Sequence, residues 1–376
     1  MRCTVSFSFV GGPHHFWHLA PVAAALSLDP SVSVRAFVNN ADDERILNGM
    51  LAELGAAATA IALIKMELPA ALRWIGALMP KWRDLKVLRL LCWNRQLRQC
   101  DALVAAERTS TLLCRMPGRQ PLTIHIPHGA GDRAQGFDKR IAMFDYVIVA
   151  GEKDKQRMMS LKLVDDDNCF VSGYVKLSAL RRLRARQSSN LFTNDRPTIC
   201  YNPHFDEALS SWSGFGRQII ESIAFDGRYN LIVAPHVRLF AGSSAEEKAR
   251  WTALAISDRI IIDPGSDRSM DMTYTMAADI YLGDVSSQVY EFIAEPRPCV
   301  FINGHQAEWR NSPDYYMWHF GDVIDDISQL LPALDRSATR HLQYRKIQEN
   351  TGLRAFGDTN NDAAAVAADL IKQVCR

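Results

Sequence analysis

The stretch Tyr281-Leu-Gly-Asp-Val-Ser-Ser-Gln-Val-Tyr-Glu291 indicates how this 376-residue chain folds and what it binds. It begins as an apolar strand, breaks at Asp284-Val285-Ser286-Ser287 and continues with helical spacing. Such a strand–turn–helix places two hydroxyls and several backbone N–H groups at a helix N-terminus, whose partial positive charge binds phosphate. Glu291, one turn into the helix, could then reach ribose hydroxyls. Taken alone, the motif also fits an ordinary helix cap.

Length and composition are typical of a two-domain enzyme. A chain of 376 residues fits two domains of about 150–200 residues each. The formal net charge of +1 gives no global attraction for nucleic acid, so we expect no nucleic-acid partner. No secretory signal and no apolar run of about 20 residues is evident, so the sequence predicts a cytoplasmic protein.

The eight cysteines form no CxxC pair, which argues against zinc ribbons and thioredoxin-type redox sites. Several lie inside apolar runs, where we expect them to be small buried hydrophobic residues in a reducing compartment.

Strand and helix patterns alternate along the first half of the chain. A strand over residues 3–10 ends in a Gly-Gly-Pro turn, and a helix over His18–Leu26 and a strand over Val32–Val38 follow. Further strands are predicted over Leu122–Ile126 and Tyr146–Ala150. This alternation favours a parallel sheet that is covered on both faces.

A polar, basic segment around residues 181–197 is predicted to be an interdomain linker. After it the pattern restarts, with a helix near residues 217–224 and strands near 198–202, 230–234, 259–262, 279–282 and 299–302. We therefore expect an α/β fold with Rossmann-like domains at residues 1–180 and 197–350. Residues 351–376 are predicted to form a C-terminal helix, which either stays with the second domain or crosses back to the first. Ligands in such folds bind beyond the carboxyl ends of strands, and a cleft between domains is a favoured place.

Histidines follow four of the predicted strands. They are His15 and His18 after the first strand, His128 after the strand at 122–126, His204 after 198–202 and His236 after 230–234. One histidine at a strand end is most often structural. Four such ends together with a phosphate-type turn predict a cleft rich in groups that bind phosphate or move protons.

The sequence contains neither HExxH nor a carboxylate-rich DxD cluster, so we expect no metal site and no cofactor besides a nucleotide donor. The charge of a diphosphate would then be neutralised by His236, Arg238, the helix N-terminus and hydroxyls.

Three motifs of the chain resemble those of a known family. Ile126-Pro-His-Gly129, Ala234-Pro-His-Val237 and Leu282–Phe292 followed by Pro296–Phe301 are similar to CDP-glycerol glycerophosphotransferases of the teichoic-acid polymerase type. The resemblance spans roughly residues 120–305. It implies the GT-B fold, in which two Rossmann-like domains face a central cleft and the C-terminal domain binds most of the donor.

Position by position, the resemblance implies that His128 is the catalytic histidine of the N-terminal domain and His236 the donor-phosphate histidine. It implies that Ser286 and Ser287 hold the diphosphate, with Asp284 before them. Glu291 occupies the nucleotide-side carboxylate position, and we place His204 and Arg238 on the donor side as well.

Departures from the family pattern leave the donor and the acceptor open. The family continues His-Gly-Thr-Pro-Leu-Lys, whereas this chain has His128-Gly-Ala-Gly-Asp132-Arg133. Ala234 replaces an arginine and Val237 a proline. Arg133 and Arg238 could restore positive charge, and we assign Arg133 and Asp132 to the acceptor side.

The sequence therefore predicts transfer of a glycerophosphate-like or glycosyl group from a CDP- or UDP-activated donor to a hydroxyl. His128 is the expected general base, with His15 and His18 as alternatives. A UDP-N-acetylglucosamine 2-epimerase-like enzyme and a catalytically silent GT-B nucleotide-binding module remain open.

Residues 65–98 combine Lys and Arg with Trp and Leu. This pattern fits a helix at an anionic membrane surface, which would deliver a lipid- or glycan-linked acceptor to a peripheral enzyme on the inner face of the cytoplasmic membrane. It fits equally a pair of helices packed inside the N-terminal domain. The oligomeric state stays open.

Overall fold

The computed structural model describes residues 2–69, 72, 85–129, 137–184, 191–256 and 258–375. These residues divide into two compact units. The first unit contains the described residues within 1–128, 137–187 and 354–376, and the second contains those within 129–136 and 188–353.

The first unit is built on a seven-stranded sheet in the order β3-β2-β1-β4-β5-β6-β7. Every pairing in it is parallel. Its strands are β1 (Cys3–Ser8), β2 (Val32–Val38), β3 (Ile61–Lys65), β4 (Ala102–Ala105), β5 (Leu122–His125), β6 (Tyr146–Val149) and β7 (Cys169–Val171).

The second unit is built on a six-stranded parallel sheet in the order β10-β9-β8-β11-β12-β13. Its strands are β8 (Thr198–Asn202), β9 (Asn230–Val233), β10 (Ile260–Ile262), β11 (Ile280–Gly283), β12 (Cys299–Ile302) and β13 (Asp322–Ile324).

Helices connect the strands in both units. The described α-helices are Phe16–Ser27, Ala41–Glu53, Lys86–Cys92, Asn94–Arg98, Glu152–Ser160, Val175–Arg184, Trp212–Asp226, Ala245–Thr252, Thr273–Ala277, Gln288–Ile293, Leu330–Phe356 and Ala363–Val374. In the part of the chain that the structure describes, no helix is both long enough and apolar enough to span a bilayer.

Both sheets have the strand order of a Rossmann fold, which confirms the predicted α/β class with two Rossmann-like domains. The direction of winding reverses between β1 and β4 in the first sheet and between β8 and β11 in the second. Ligands of doubly wound sheets bind beyond the carboxyl ends of the strands at this reversal.

Burial explains why these strands could be found from sequence. All five side chains of β8 and all four of β9 and β11 are buried, as expected for a parallel sheet covered on both faces. Cys100, Cys169, Cys200 and Cys299 are buried as predicted, and all eight cysteines are free, whereas Cys92 is exposed.

Part of the basic aromatic segment lies outside the described residues, namely residues 70, 71 and 73–84. In the part that is described, Leu90 and Leu97 are buried within the first unit. The buried Arg98 donates hydrogen bonds to the carbonyls of Met116 and Pro117, both at 3.0 Å. Leu90, Leu97 and Arg98 therefore pack internally, whereas Val87, Leu91 and Arg95 are exposed.

Candidate functional site

Four histidines gather in the first unit, beyond the carboxyl ends of β1 and β5. The ring centroid of His128 lies 4.2 Å from that of His15 and 6.2 Å from that of His18. The structure thus brings together the three histidines predicted to be catalytic. His14, which the sequence analysis did not single out, joins them with its centroid 4.0 Å from that of His15.

The loop after β1 holds His15 against the backbone of Gly11. A Cβ atom on Gly11 would overlap the imidazole of His15, so only glycine fits at this position. His15 is 2% exposed, and among the described residues neither of its ring nitrogens has a hydrogen-bond partner. Buried polar atoms without partners are rare in proteins and often mark functional positions.

Burial keeps His15 and His18 neutral. It lowers the pKa of His15 and His18 well below the usual value of 6.5. The charge of His128 lowers the pKa of His15 further, and Lys176 has the same effect on His18. Both imidazoles therefore carry a lone pair at neutral pH and can accept a proton or bind a metal ion.

The tautomer of His128 is fixed by the backbone. Its Nδ1 lies 3.0 Å from the carbonyl oxygen of Ala106, and because a carbonyl only accepts, Nδ1 carries the hydrogen. In the neutral ring the lone pair is therefore on Nε2. His125 makes the same contact with the carbonyl of Ala105, but it is fully buried and stacked on Phe144, which makes it a core residue.

In the second unit, Asp284 connects the ends of β8 and β11 at the topological reversal. Its Oδ2 accepts hydrogen bonds from the backbone N–H of His204 at 2.9 Å and of Ser211 at 2.8 Å. A Cβ on Gly283 would lie 2.8 Å from the carbonyl oxygen of Asn202, so glycine permits the two strand ends to approach. Asp284 positions the loop that carries His204.

Burial of Asp284 is complete and raises the pKa of its carboxyl to about 7. The two backbone N–H groups act in the opposite direction, because they stabilise the carboxylate. Within the described residues, the second oxygen, Oδ1, has no hydrogen-bond partner. This structural role was not predicted, because both N–H groups are distant from Asp284 in sequence.

The Nδ1 atoms of His204 and His236 accept hydrogen bonds, whereas the Nδ1 of His128 donates one. The Nδ1 of His204 accepts from the N–H of Asp206 at 3.0 Å, and that of His236 accepts from the N–H of Arg238 at 3.2 Å. In the neutral rings the hydrogen is therefore on Nε2, which makes these histidines N–H donors. Their ring centroids lie 5.9 Å apart, and the Arg238 guanidinium lies 5.3 Å from the centroid of Phe205.

The turn formed by residues 284–287, called the serine turn here, differs from the expected phosphate site in the length of the helix that follows it. The helix after it, Gln288–Ile293, has only six residues, so its dipole is weaker than that of a long helix. Ser286 is buried and its Oγ accepts from the N–H of Gln288 at 3.2 Å, whereas Ser287 is exposed. Glu291 is 7% exposed. The accessible hydroxyl of the turn is therefore that of Ser287.

Asp132 and Arg133, which were assigned to the acceptor side, lie outside the described residues. A cavity of about 690 Å³ lies elsewhere in the second unit, beside β12 and β13. Its lining includes none of the predicted site residues, and its central carboxylate, Asp322, is already paired with Arg336 and Arg340.

No family model matches the sequence, and the comparison with curated proteins gives no match. Solved structures do match over the whole chain. The wall teichoic acid polymerase TagF soaked with CDPG has a TM-score of 0.66 at 14% identity, covering 100% of this chain and 89% of that chain. The chain has the GT-B fold.

Two further structures share this fold. The S. aureus MnaA–UDP co-structure has a TM-score of 0.67 at 14% identity and covers 99% of this chain and 96% of that chain. The UDP-GlcNAc 2-epimerase from Neisseria meningitidis bound to UDP-GlcNAc has a TM-score of 0.60 at 11% identity, with 100% of both chains covered.

Replacing Asp284 by Asn should remove a pH dependence of stability. Because the pKa of Asp284 rises from 3.8 to about 7 on folding, its contribution is fully present below about pH 4 and is lost as the pH rises through 7. Between these pH values the free energy of unfolding of the wild type should fall by on the order of 4 kcal/mol relative to that of Asp284→Asn. Urea denaturation at several pH values measures this difference.

The control is Asp284→Ala, which leaves two backbone N–H groups without their acceptor. Below about pH 4, where Asp284 is protonated in the wild type, it should destabilise the fold by about 1–3 kcal/mol per group. Equal pH slopes in the wild type and Asp284→Asn would contradict the assigned pKa.

Proposed function

We propose that the protein transfers a glycerophosphate-like or glycosyl group from a CDP- or UDP-activated donor to a hydroxyl acceptor in cell-envelope biosynthesis. The observation that carries this proposal is the set of N–H and O–H donors at the reversal between β8 and β11. The similar structures support it, because they include one soaked with CDPG, one with UDP and one bound to UDP-GlcNAc.

In this proposal, residues of the second unit bind the nucleotide-activated donor. The Nε2–H groups of His204 and His236 suit phosphate oxygens, and the hydroxyl of Ser287 adds a third donor. Arg238 supplies the positive charge that a diphosphate requires. We assign Glu291 to the ribose hydroxyls and Ser286 to the shape of the turn.

The first unit supplies the proton acceptor. The Nε2 lone pair of His128 removes the proton of the acceptor hydroxyl. For a glycerophosphate donor, the acceptor oxygen forms a bond to the β-phosphorus and CMP leaves with the bridging oxygen. For a glycosyl donor, the new bond is to the anomeric carbon and a nucleoside diphosphate leaves. In either case the N–H and O–H groups of the second unit stabilise the negative charge of the leaving group.

A second candidate function is 2-epimerisation of a UDP-sugar. It is favoured by the UDP-GlcNAc 2-epimerase from Neisseria meningitidis, whose structure matches the whole chain with a TM-score of 0.60. An epimerase converts its UDP-sugar without an acceptor, whereas the proposed transferase consumes its donor only when an acceptor hydroxyl is present. A catalytically silent nucleotide-binding module would bind the nucleotide but would convert neither the UDP-sugar nor the transferase donor.

Nucleoside diphosphates should stabilise the protein. At a free concentration of 100 times Kd, a ligand that binds only the folded state adds about 2.7 kcal/mol. Thermal denaturation with CDP, UDP, CMP, UMP, CDP-glycerol and UDP-N-acetylglucosamine measures the shift. We expect the diphosphates to raise Tm more than the monophosphates do, because the second phosphate meets the histidine donors.

His236→Ala and Ser287→Ala should each reduce this shift, whereas His128→Ala should leave it intact. His319→Ala is the matched control, because it removes a histidine of the same unit outside the serine turn. Equal shifts in the wild type and His236→Ala would exclude the assigned donor site.

We place the acceptor on a lipid or glycan at the inner face of the cytoplasmic membrane, with residues 65–98 as the contact. Because Leu90, Leu97 and Arg98 are buried, we assign the contact mainly to the basic and aromatic residues within 73–84, among them Trp74, Lys81, Trp82 and Arg83.

Flotation with vesicles tests this contact. Binding to vesicles that contain phosphatidylglycerol should be strong at low salt and should weaken as the salt approaches ~1 M, where the Debye length falls to about 3 Å. A Lys81→Glu/Arg83→Glu variant should float less, and neutral phosphatidylcholine vesicles serve as the control. Absence of binding at low salt would remove the membrane contact from the proposal.

A further inference from the structure

We propose that His14, His15 and His128 form a binding site for one divalent transition-metal ion, for which Zn²⁺ is the best match. Each of these residues offers one ring nitrogen, and the three nitrogens lie within 4.8 Å of one another. All three residues belong to the first unit.

The distances are close to those of a bound ion. At Zn–N bonds of about 2.0–2.1 Å in a tetrahedral site, ligand nitrogens lie roughly 3.3 Å apart. The rings of His14 and His128 are exposed, whereas His15 is held by the backbone of Gly11. Rotation of the exposed ring of His14 therefore brings its nitrogen towards His15 and His128, both of which the backbone holds in place.

The surroundings of the three rings have two features of a metal site. His128 donates its Nδ1–H to a backbone carbonyl, which is the contact that orients metal-binding histidines and leaves Nε2 for the ion. His15 is buried, and both of its nitrogens lack a hydrogen-bond partner among the described residues. A bound ion would supply the missing partner of one of them.

The three imidazole ligands determine which metal ion the site prefers. Three neutral imidazoles suit Zn²⁺, Co²⁺, Ni²⁺ or Cu²⁺ better than Mg²⁺ or Ca²⁺, which prefer oxygen ligands. Lys86 lies near enough to lower the pKa of His15, so its positive charge opposes binding. Three protein ligands leave a fourth position open for water or an anion.

Metal binding and the proposed catalytic role of His128 exclude each other, because both use the Nε2 lone pair. This consequence rests on the proposed function, whereas the site itself does not. Motifs with ligands at short spacing, such as HExxH, are absent from the sequence, so no metal was predicted. Here the ligands come from two loops that are far apart in the chain.

The test is metal binding by the full-length protein after treatment with EDTA. Titration with Zn²⁺ against a chromophoric chelator should show one tight equivalent, and Co²⁺ should give the visible absorption of a low-coordinate complex. His14→Ala and His128→Ala, which alter exposed residues, should each weaken Zn²⁺ binding by ~10-fold or more. His319→Ala should bind as the wild type does.

Gly11→Ala gives a second test, because it displaces His15 without removing a ligand. It should weaken Zn²⁺ binding, whereas Gly49→Ala, at an exposed helical position with open space around it, should not. Absence of a tight equivalent in the wild type, or equal affinity in the wild type, His14→Ala and His128→Ala, would overturn the site. Nucleotide-induced stabilisation is measured separately on the EDTA-treated protein, so failure of the donor site would be seen independently.

Discussion

A contact between Nδ1 and the backbone controls what His128, His204 and His236 can do. The Nδ1 of His128 donates to the carbonyl of Ala106, so its Nε2 accepts a proton or a metal ion. The Nδ1 atoms of His204 and His236 accept from backbone N–H groups, so their Nε2 atoms donate. Under the proposed function, the same residue type therefore acts as a base in one unit and as a phosphate ligand in the other.

These backbone contacts depend on where parallel strands end. β4 and β5 are neighbours in register, so the carbonyl of Ala106, just beyond β4, lies beside the residues that follow β5. In the second unit β8 pairs with β11, and Asp284 at the end of β11 holds the backbone of His204 beyond β8. The order of strands therefore determines the hydrogen bonds, and the hydrogen bonds determine the chemistry that each loop can perform.

Much of the fold could be predicted from sequence, because buried parallel strands are apolar runs that end at Gly, Pro or polar residues. β2, β8 and β12 have their predicted bounds, and the helix predicted over 217–224 is the centre of Trp212–Asp226. The strands β3, β4, β7 and β13 were not predicted, and two of them, β7 and β13, have only three residues each, too few for a clear pattern. The hydrogen bonds from the backbone of His204 and Ser211 to Asp284 and the approach of His14 to His128 were also not predicted, because these residues are distant in sequence.

The most direct measurement is the tautomer of each site histidine, by NMR on protein with ¹⁵N-labelled histidine, free of metal and nucleotide and at a pH where the rings are neutral. Correlations between the ring nitrogens and the ring carbon-bound hydrogens distinguish Nδ1–H from Nε2–H, and His128→Ala, His204→Ala and His236→Ala assign the signals. We predict Nδ1–H for His128 and Nε2–H for His204 and His236. Nε2–H in His128, or Nδ1–H in His236, would contradict the division into a proton-accepting and a phosphate-binding unit.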